Sequence, residues 1–507
     1  MGGADKKPGG GFALFGLMVG LAAGLAVYGI TEFWIGEASN APVAQTVLLT
    51  VASFAAAFLL LSERGATLRA VLPAAVIALI LAYPTYSSLK ALDEGANLTA
   101  FPAVFWFVAG LHISGFLMTT LAKASLLERA PPPYSAVFFH GLTLPLIAAG
   151  AYFFAILASV LLFAWALLLR SLDVDFFHRV FQEPWFMLPF FGAVGGLSIA
   201  MMRGLESVLG ALRFILLLFS RITMLITAVF SVTFLAVLAI KGPMAIFIGP
   251  TPGAFMLGLA FIGMLIFNGV YQNGEGEPPP AWLRLPTIIT LLAFPVYSGL
   301  AAYAFWLRVE DYGLTPPRVI GLAMNGLAAA YSIVCLAGIL SEFNWTGKRW
   351  MPLVAPLNTL MAVIWVIVLI LLATPVLDPW AMSARNQVER LLDGRAKASE
   401  FDYGYLRFSL GRHGERALER LVSSTDYPDY AVAHAGVARA RAASSQWEYK
   451  QGAPKPAEAV APPSEDTAGP QPGPMDLPLD PGESDPPADS PADADAPSGG
   501  DPPPSNN

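Results

Sequence analysis

One cysteine, Cys335, is present among 507 residues. A lone thiol makes no intrachain disulfide and no cysteine-based zinc site, and its place inside an apolar run suits a buried, inert side chain. Charge is scarce as well. Asp, Glu, Lys and Arg make up 13% of the chain against 55% hydrophobic residues, a balance that would leave a soluble protein of this size with large exposed apolar patches. A bilayer removes that difficulty. Missing too are a phosphate-cradling P-loop, a serine nucleophile elbow, a paired-histidine zinc helix and a dinucleotide fingerprint. Soluble-enzyme chemistry is therefore not expected, no cofactor or metal is implied, and a non-enzymatic role is favoured. Lys and Arg gather on no single face, which excludes nucleic acid as a partner.

What the chain does have is one apolar run after another. At about 20 residues per crossing, candidate membrane helices fall near 12–32, 42–62, 67–83, 101–122, 142–169, 185–202, 222–240, 253–270, 286–307, 318–341 and 352–374. The expected fold is an all-α, polytopic bundle of about eleven spans over 1–376, with membrane lipids as its surroundings. The first run follows Lys6 and Lys7 but is longer than the apolar region of a secretory signal, so it reads as a retained span. Segment 203–221 carries Arg203, Glu206, Arg213 and Arg221 among Leu, Ile and Phe. An amphipathic helix lying on the inner face fits it better than a crossing, because each arginine in mid-bilayer costs about 2.5–3.5 kcal/mol.

Beyond the spans the composition changes twice. Residues 377–450 read as a small soluble helical cap. Asp378-Pro379 opens its first helix, Val388, Leu391 and Leu392 follow at helical spacing, Gly394 closes it, and two more helices are expected near 414–424 and 430–446. Residues 451–507 hold 16 prolines, no aromatic residue and eleven acidic residues against Lys455 alone. Such a segment cannot bury enough apolar surface to offset its chain entropy and is expected to be disordered. The tail accounts for −10 of the net −7, which leaves residues 1–450 at +3.

Basic residues set the orientation. With the amino terminus inside, the inner loops hold twelve Lys and Arg and the outer loops six. An odd number of spans then places the cap on the outer side. Gly16, Gly20 and Gly24 recur at four-residue spacing, as do Gly192 and Gly196. Small residues so placed let helix backbones approach closely. Packing within the chain is the plainer consequence, and a homo-oligomer seam through Gly16, Gly20 and Gly24 the sharper one.

Three places hold residues with binding chemistry. His112 stands alone near the middle of a span, where a titratable group invites either a proton-handling role or a neutral imidazole bonded to Ser114, Thr119 or a carbonyl of a neighbouring helix. Asp173, Asp175, His178 and Glu183 share one loop and could together hold a divalent cation, although Val174, Phe177, Val180 and Phe181 also give that loop an interfacial apolar face. Arg318 sits in the first turn of a span, where the helix dipole disfavours a cation. It is expected to pair with Glu310 or Asp311, or with a lipid phosphate that uses free amides of the same turn.

Tyr312-Gly-Leu-Thr-Pro316, together with Pro295-Val-Tyr297, Leu377-Asp-Pro379, Ser383-Ala-Arg-Asn-Gln387 and Phe401-Asp-Tyr403, gives the chain a family likeness. It resembles, over roughly residues 50–425, the bacterial multi-pass membrane proteins of domain-of-unknown-function family 4153. Pro317 departs from that pattern, which has a polar or acidic residue before the arginine. The resemblance implies an inner-membrane protein and supplies no activity or substrate. The sequence therefore leads to a non-enzymatic membrane or envelope component. A transporter of a small solute or lipid is one alternative, marked by a cavity containing His112. A transferase acting on a lipid-linked substrate is the other, marked by convergence of Asp173, Asp175 and His178.

Overall fold

Apolar runs become helices because a backbone surrounded by hydrocarbon must satisfy its own amides. The computed structural model describes residues 10–35, 41–93, 101–127, 130–243, 252–275, 278–344, 349–427 and 429–451, with the side chains of 91–107 and 343–344 outside the described set. No strand occurs among the described residues. The membrane part comprises α1 (Gly10–Phe33), α2 (Ala41–Leu61), α3 (Val71–Asp93), α4 (Phe101–Leu127), α5 (Tyr134–Arg170), the short α6 (Phe176–Val180), α7 (Pro184–Met202), α8 (Glu206–Lys241), α9 (Pro252–Tyr271), α10 (Ala281–Tyr312), α11 (Pro316–Asn344) and α12 (Val354–Leu372). Ten helices among the described residues are long and apolar enough to cross a bilayer. With α4, they account for the eleven apolar segments of the sequence, and the molecule is an all-α polytopic bundle.

Among the described residues the bundle has two larger cores, beside two small clusters, Ala124 with Ala136 and Val137, and Ile147 with Met202 and Leu209. Ala57, Leu61, Ala74, Ile77 and Leu81 join α2 to α3, with Leu111 and Met118 of α4 against them. A larger core, with Phe267, Leu283, Leu291, Phe294, Tyr331 and Met351 at its centre, unites α8 to α12. Between α1 and α7 the contact is backbone on backbone. A Cβ on Gly20 would overlap the Gly192 carbonyl, and one on Gly16 or Gly24 would overlap the carbonyl of Gly196 or Leu188. The face expected as a homo-oligomer seam through Gly16, Gly20 and Gly24 is thus buried inside the chain, and the plainer consequence of the glycine spacing is the one realised.

Segment 203–221 departs from expectation. It is not a separate surface helix, since α8 runs unbroken from Glu206 to Lys241. Arg213 finds local partners on α5 instead: its guanidinium donates to Thr143 Oγ1 at 3.0 Å and lies 4.3 Å from the Phe139 ring centre. A cation so held does not require the helix to break.

After the bundle come α13 (Pro379–Leu392), α14 (Tyr403–Ser409), α15 (Gly411–Ser423), α16 (Tyr430–Ala442) and α17 (Gln446–Gln451). Val388, Leu391, Tyr403, Leu406, Leu418, Leu421 and Val437 form their core. Asp378 starts α13 as its residue type and the following Pro379 suggest, accepting from the amides of Trp380 at 2.9 Å and Ala381 at 3.2 Å. Gly394 closes it with φ 70°. The acidic segment 452–507, expected to be disordered, lies outside the described residues.

The cap is fastened to the bundle at the corner between α10 and α11, where Gly313 adopts φ 74°. Arg390 donates to the carbonyls of Val309 (3.2 Å), Glu310 (2.7 Å) and Asp311 (2.9 Å) in the last turn of α10, where the Val309 carbonyl also accepts from the Gly313 amide at 2.9 Å. Asn386 accepts from the Leu314 amide at 2.8 Å, Ser383 donates to the Leu314 carbonyl at 2.9 Å, and Gln387 donates to the carbonyls of Tyr312 and Leu314 at 3.0 Å. Two stretches some seventy residues apart in the chain, 312–316 and 383–387, are therefore one structural unit.

Candidate functional site

A cavity lies among α2, α3, α4 and α5, with Trp380 of α13 in its wall. Its volume is 490 Å³, within the range of about 300–1,000 Å³ typical of small-molecule sites. Lining residues run from Leu49 to Leu60 on α2, from Ile77 to Leu89 on α3 and from Val108 to Thr119 on α4. At the helical rise those stretches are about 16–18 Å long, so the cavity is a groove running along the helices.

Few polar side chains reach the groove, chiefly Ser53, Thr85, Ser88, His112 and Thr119, and three of their hydroxyls are already occupied. Thr85 donates to the Leu81 carbonyl at 2.7 Å, Thr119 to that of Gly115 at 2.7 Å, and Ser88 to that of Pro84. Such back-bonding to the preceding turn hides a hydroxyl from the surface. The groove consequently presents hydrocarbon, and it solvates an acyl chain far better than a polar solute.

His112 lies in that wall. Its Nδ1 is 2.8 Å from the Val108 carbonyl one turn earlier on α4, so the partner is its own helix rather than Ser114, Thr119 or a neighbouring helix. Ser114 and Thr119 are bonded in turn to the carbonyls of Gly110 and Gly115.

The other sequence candidates do not join this groove. Asp175 and His178 do meet, but around the protein's own cation. Arg170 contacts the Asp175 carboxylate at 3.2 Å and donates to Nε2 of His178 at 3.1 Å, and Gln182 donates to the same Nε2 at 3.1 Å. A lone pair that accepts two hydrogen bonds has none left for a metal. Asp173 takes a left-handed turn, φ 63°, and no group of three or more acidic, His or Cys side chains suited to a metal occurs among the described residues.

Arg318 does not pair with Glu310 or Asp311. It donates to the Gly313 carbonyl and lies 5.6 Å from the Tyr312 ring centre. Nor does its turn offer free amides to a phosphate, because Arg318 and Val319 both donate to the Thr315 carbonyl and Pro316 and Pro317 have no amide hydrogen. A backbone oxygen at the α10 terminus already carries the partial negative charge that a carboxylate would supply.

Two polar clusters escape sequence reasoning. At the carboxyl end of α2, Lys123 donates to the Leu61 carbonyl at 2.9 Å and pairs with Glu63, while Arg203 donates to the carbonyls of Leu60 and Ser62. Cations from α4 and from the end of α7 thus cap one helix, as its dipole favours. Within the second core, Asn268 Oδ1 accepts from Tyr134 at 3.1 Å and from Asn358 at 2.8 Å, and its amide donates to Tyr331 at 2.8 Å. This ties α5, α9, α11 and α12 together. The available signal was an asparagine inside each of two apolar runs, polar residues that hydrocarbon tolerates only with partners.

Comparison with protein families, curated proteins and solved structures finds no match to this chain.

Proposed function

We propose that the chain is a non-enzymatic lipid-handling membrane component, with the bacterial inner membrane as the address that its resemblance to family 4153 implies. In this reading the groove between α2 and α5 holds the hydrocarbon chain of a lipid. One observation carries it: a 490 Å³ cavity within a multi-pass bundle, in which three of the four lining hydroxyls, those of Thr85, Ser88 and Thr119, are turned back onto their own helices and Ser53 is the fourth. Apart from Ser53 and His112, the wall offers a small polar solute little to bond to. The transferase alternative has less support, because the His178 lone pair it would use is already engaged by Arg170 and Gln182.

Ala56 is exposed and lines the groove, so Ala56→Trp fills it without disturbing a packed contact. Native mass spectrometry of the full chain, purified in mild detergent, is expected to show retained lipid on the wild type and at least about tenfold less on A56W at an unchanged melting temperature. Equal retention by the two proteins, or none on the wild type, would overturn the proposal.

A further inference from the structure

The carbonyl of Val108 can only accept, so the hydrogen between it and His112 belongs to Nδ1. That bond fixes the tautomer of the neutral ring and leaves Nε2 as an acceptor. Nε2 has no partner among the described residues. Of the four hydroxyls in the wall, those of Thr85, Ser88 and Thr119 are spent on their own helices and Ser53 is the fourth, and no other titratable side chain lines the groove. His112 lies eleven residues before Lys123, which touches the end of α2 at Leu61, so the imidazole sits about 16 Å along α4 from that end. His112 is itself exposed on an otherwise apolar wall, so its free acceptor is open to a donor brought in by an amphiphile. The 490 Å³ of the groove, spread over its length, gives a cross-section of about 30 Å², room for one hydrocarbon chain.

Resting on the reading of the groove as a lipid site, we infer that its ligand is a single-chain amphiphile bearing a hydroxyl or carboxylic acid group, which donates a hydrogen bond to Nε2 of His112. Long-chain alcohols and fatty acids share this chemistry.

Cys335 is buried and is the chain's one native thiol, so a cysteine at position 56 can be read by maleimide alkylation nearly alone. The full-length Ala56→Cys protein in detergent micelles is to be challenged with hexadecan-1-ol, hexadecanoic acid and hexadecane. Protection by the alcohol or the acid is expected at a mole fraction about fivefold below that needed with the alkane, the effect of one hydrogen bond. Whichever of the two protects better identifies the head group. Adding His112→Leu is expected to erase the preference while the alkane protects as before, and His112→Gln, which keeps an acceptor, to retain part of it. If H112L does not assemble, His112→Phe carries the same expectation. Equal protection by all three probes, or a preference that survives H112L, overturns the His112 contact and leaves the groove reading standing. Protection by none of the probes overturns both.

Discussion

Asp378 shows how much one carboxylate does in a chain with few charges. Besides capping α13 it accepts from His413 Nε2 at 3.1 Å, so it joins the start of α13 to α15. Burial by itself would raise its pKa. The hydrogen bond and charge of His413, together with the two helix amides, outweigh burial and hold the carboxyl below its ordinary value. A group whose folded pKa is depressed contributes stability that is complete above its unfolded pKa, about 3.9, and is lost as pH falls through the folded one. Asp378→Asn is therefore expected to lower the melting temperature at neutral pH, and the gap from wild type to narrow once pH drops below about 3.9. Thermal scans of both proteins from pH 7 to pH 3 check this, and a pH-independent gap would contradict it. Asp378 was legible in the sequence because an N-cap depends on the residue and its next three neighbours. The partners of Arg318 and His178 were not legible, because a backbone carbonyl at Gly313 and the guanidinium of Arg170 come within reach only through the way the chain turns, and a residue-type pattern does not encode that.

Among the elements, α1 and α7 form the closest pair, and their glycines set the distance between them. Leu at position 20 must displace the Gly192 backbone, at a cost of about 3 kcal/mol or more. Gly20→Leu is accordingly expected to expose α1 to limited proteolysis and to lower the yield of folded protein. Gly29→Ala, on the same helix with nothing within 4 Å of the added carbon, should be neutral or slightly stabilising. Identical behaviour of the two variants would show that the glycines do not set the approach. Periodic glycines and long apolar runs are local features, which is why the spans were legible. The continuity of α8 was not, because it depends on Thr143 and Phe139 of another helix accommodating Arg213. The short helices α14 and α17 were also hidden, each being too brief to establish a period against which apolar positions could be counted.

At the scale of the molecule, α5 and α8 contain 37 and 36 residues, or about 55 Å each against a hydrocarbon thickness of about 30 Å. Tilt or overhang must absorb the difference. With eleven apolar helices and twelve basic residues against six, we propose a cytoplasmic amino terminus and a periplasmic cap. Alkaline phosphatase fused after Lys450 should be active and a green fluorescent protein fused there dark; the reverse pair would place the cap inside. The count of spans and the bias of charge are additive properties that the sequence carries openly. The groove is not, since its walls come from four helices and a cap residue whose individual patterns are uniformly apolar.

The fastening of the cap has a consequence for how this chain tolerates change. Ser383, Asn386, Gln387 and Arg390 address main-chain atoms of 309–314, and the side chains of Glu310 and Asp311 take no part in those bonds. Drift at these two acidic positions therefore leaves the joint intact. Insertion of one residue in α13 ahead of Ser383 turns all four side chains by about 100° relative to the start of the helix, so the joint is blind to the spelling of the corner and strict about phase.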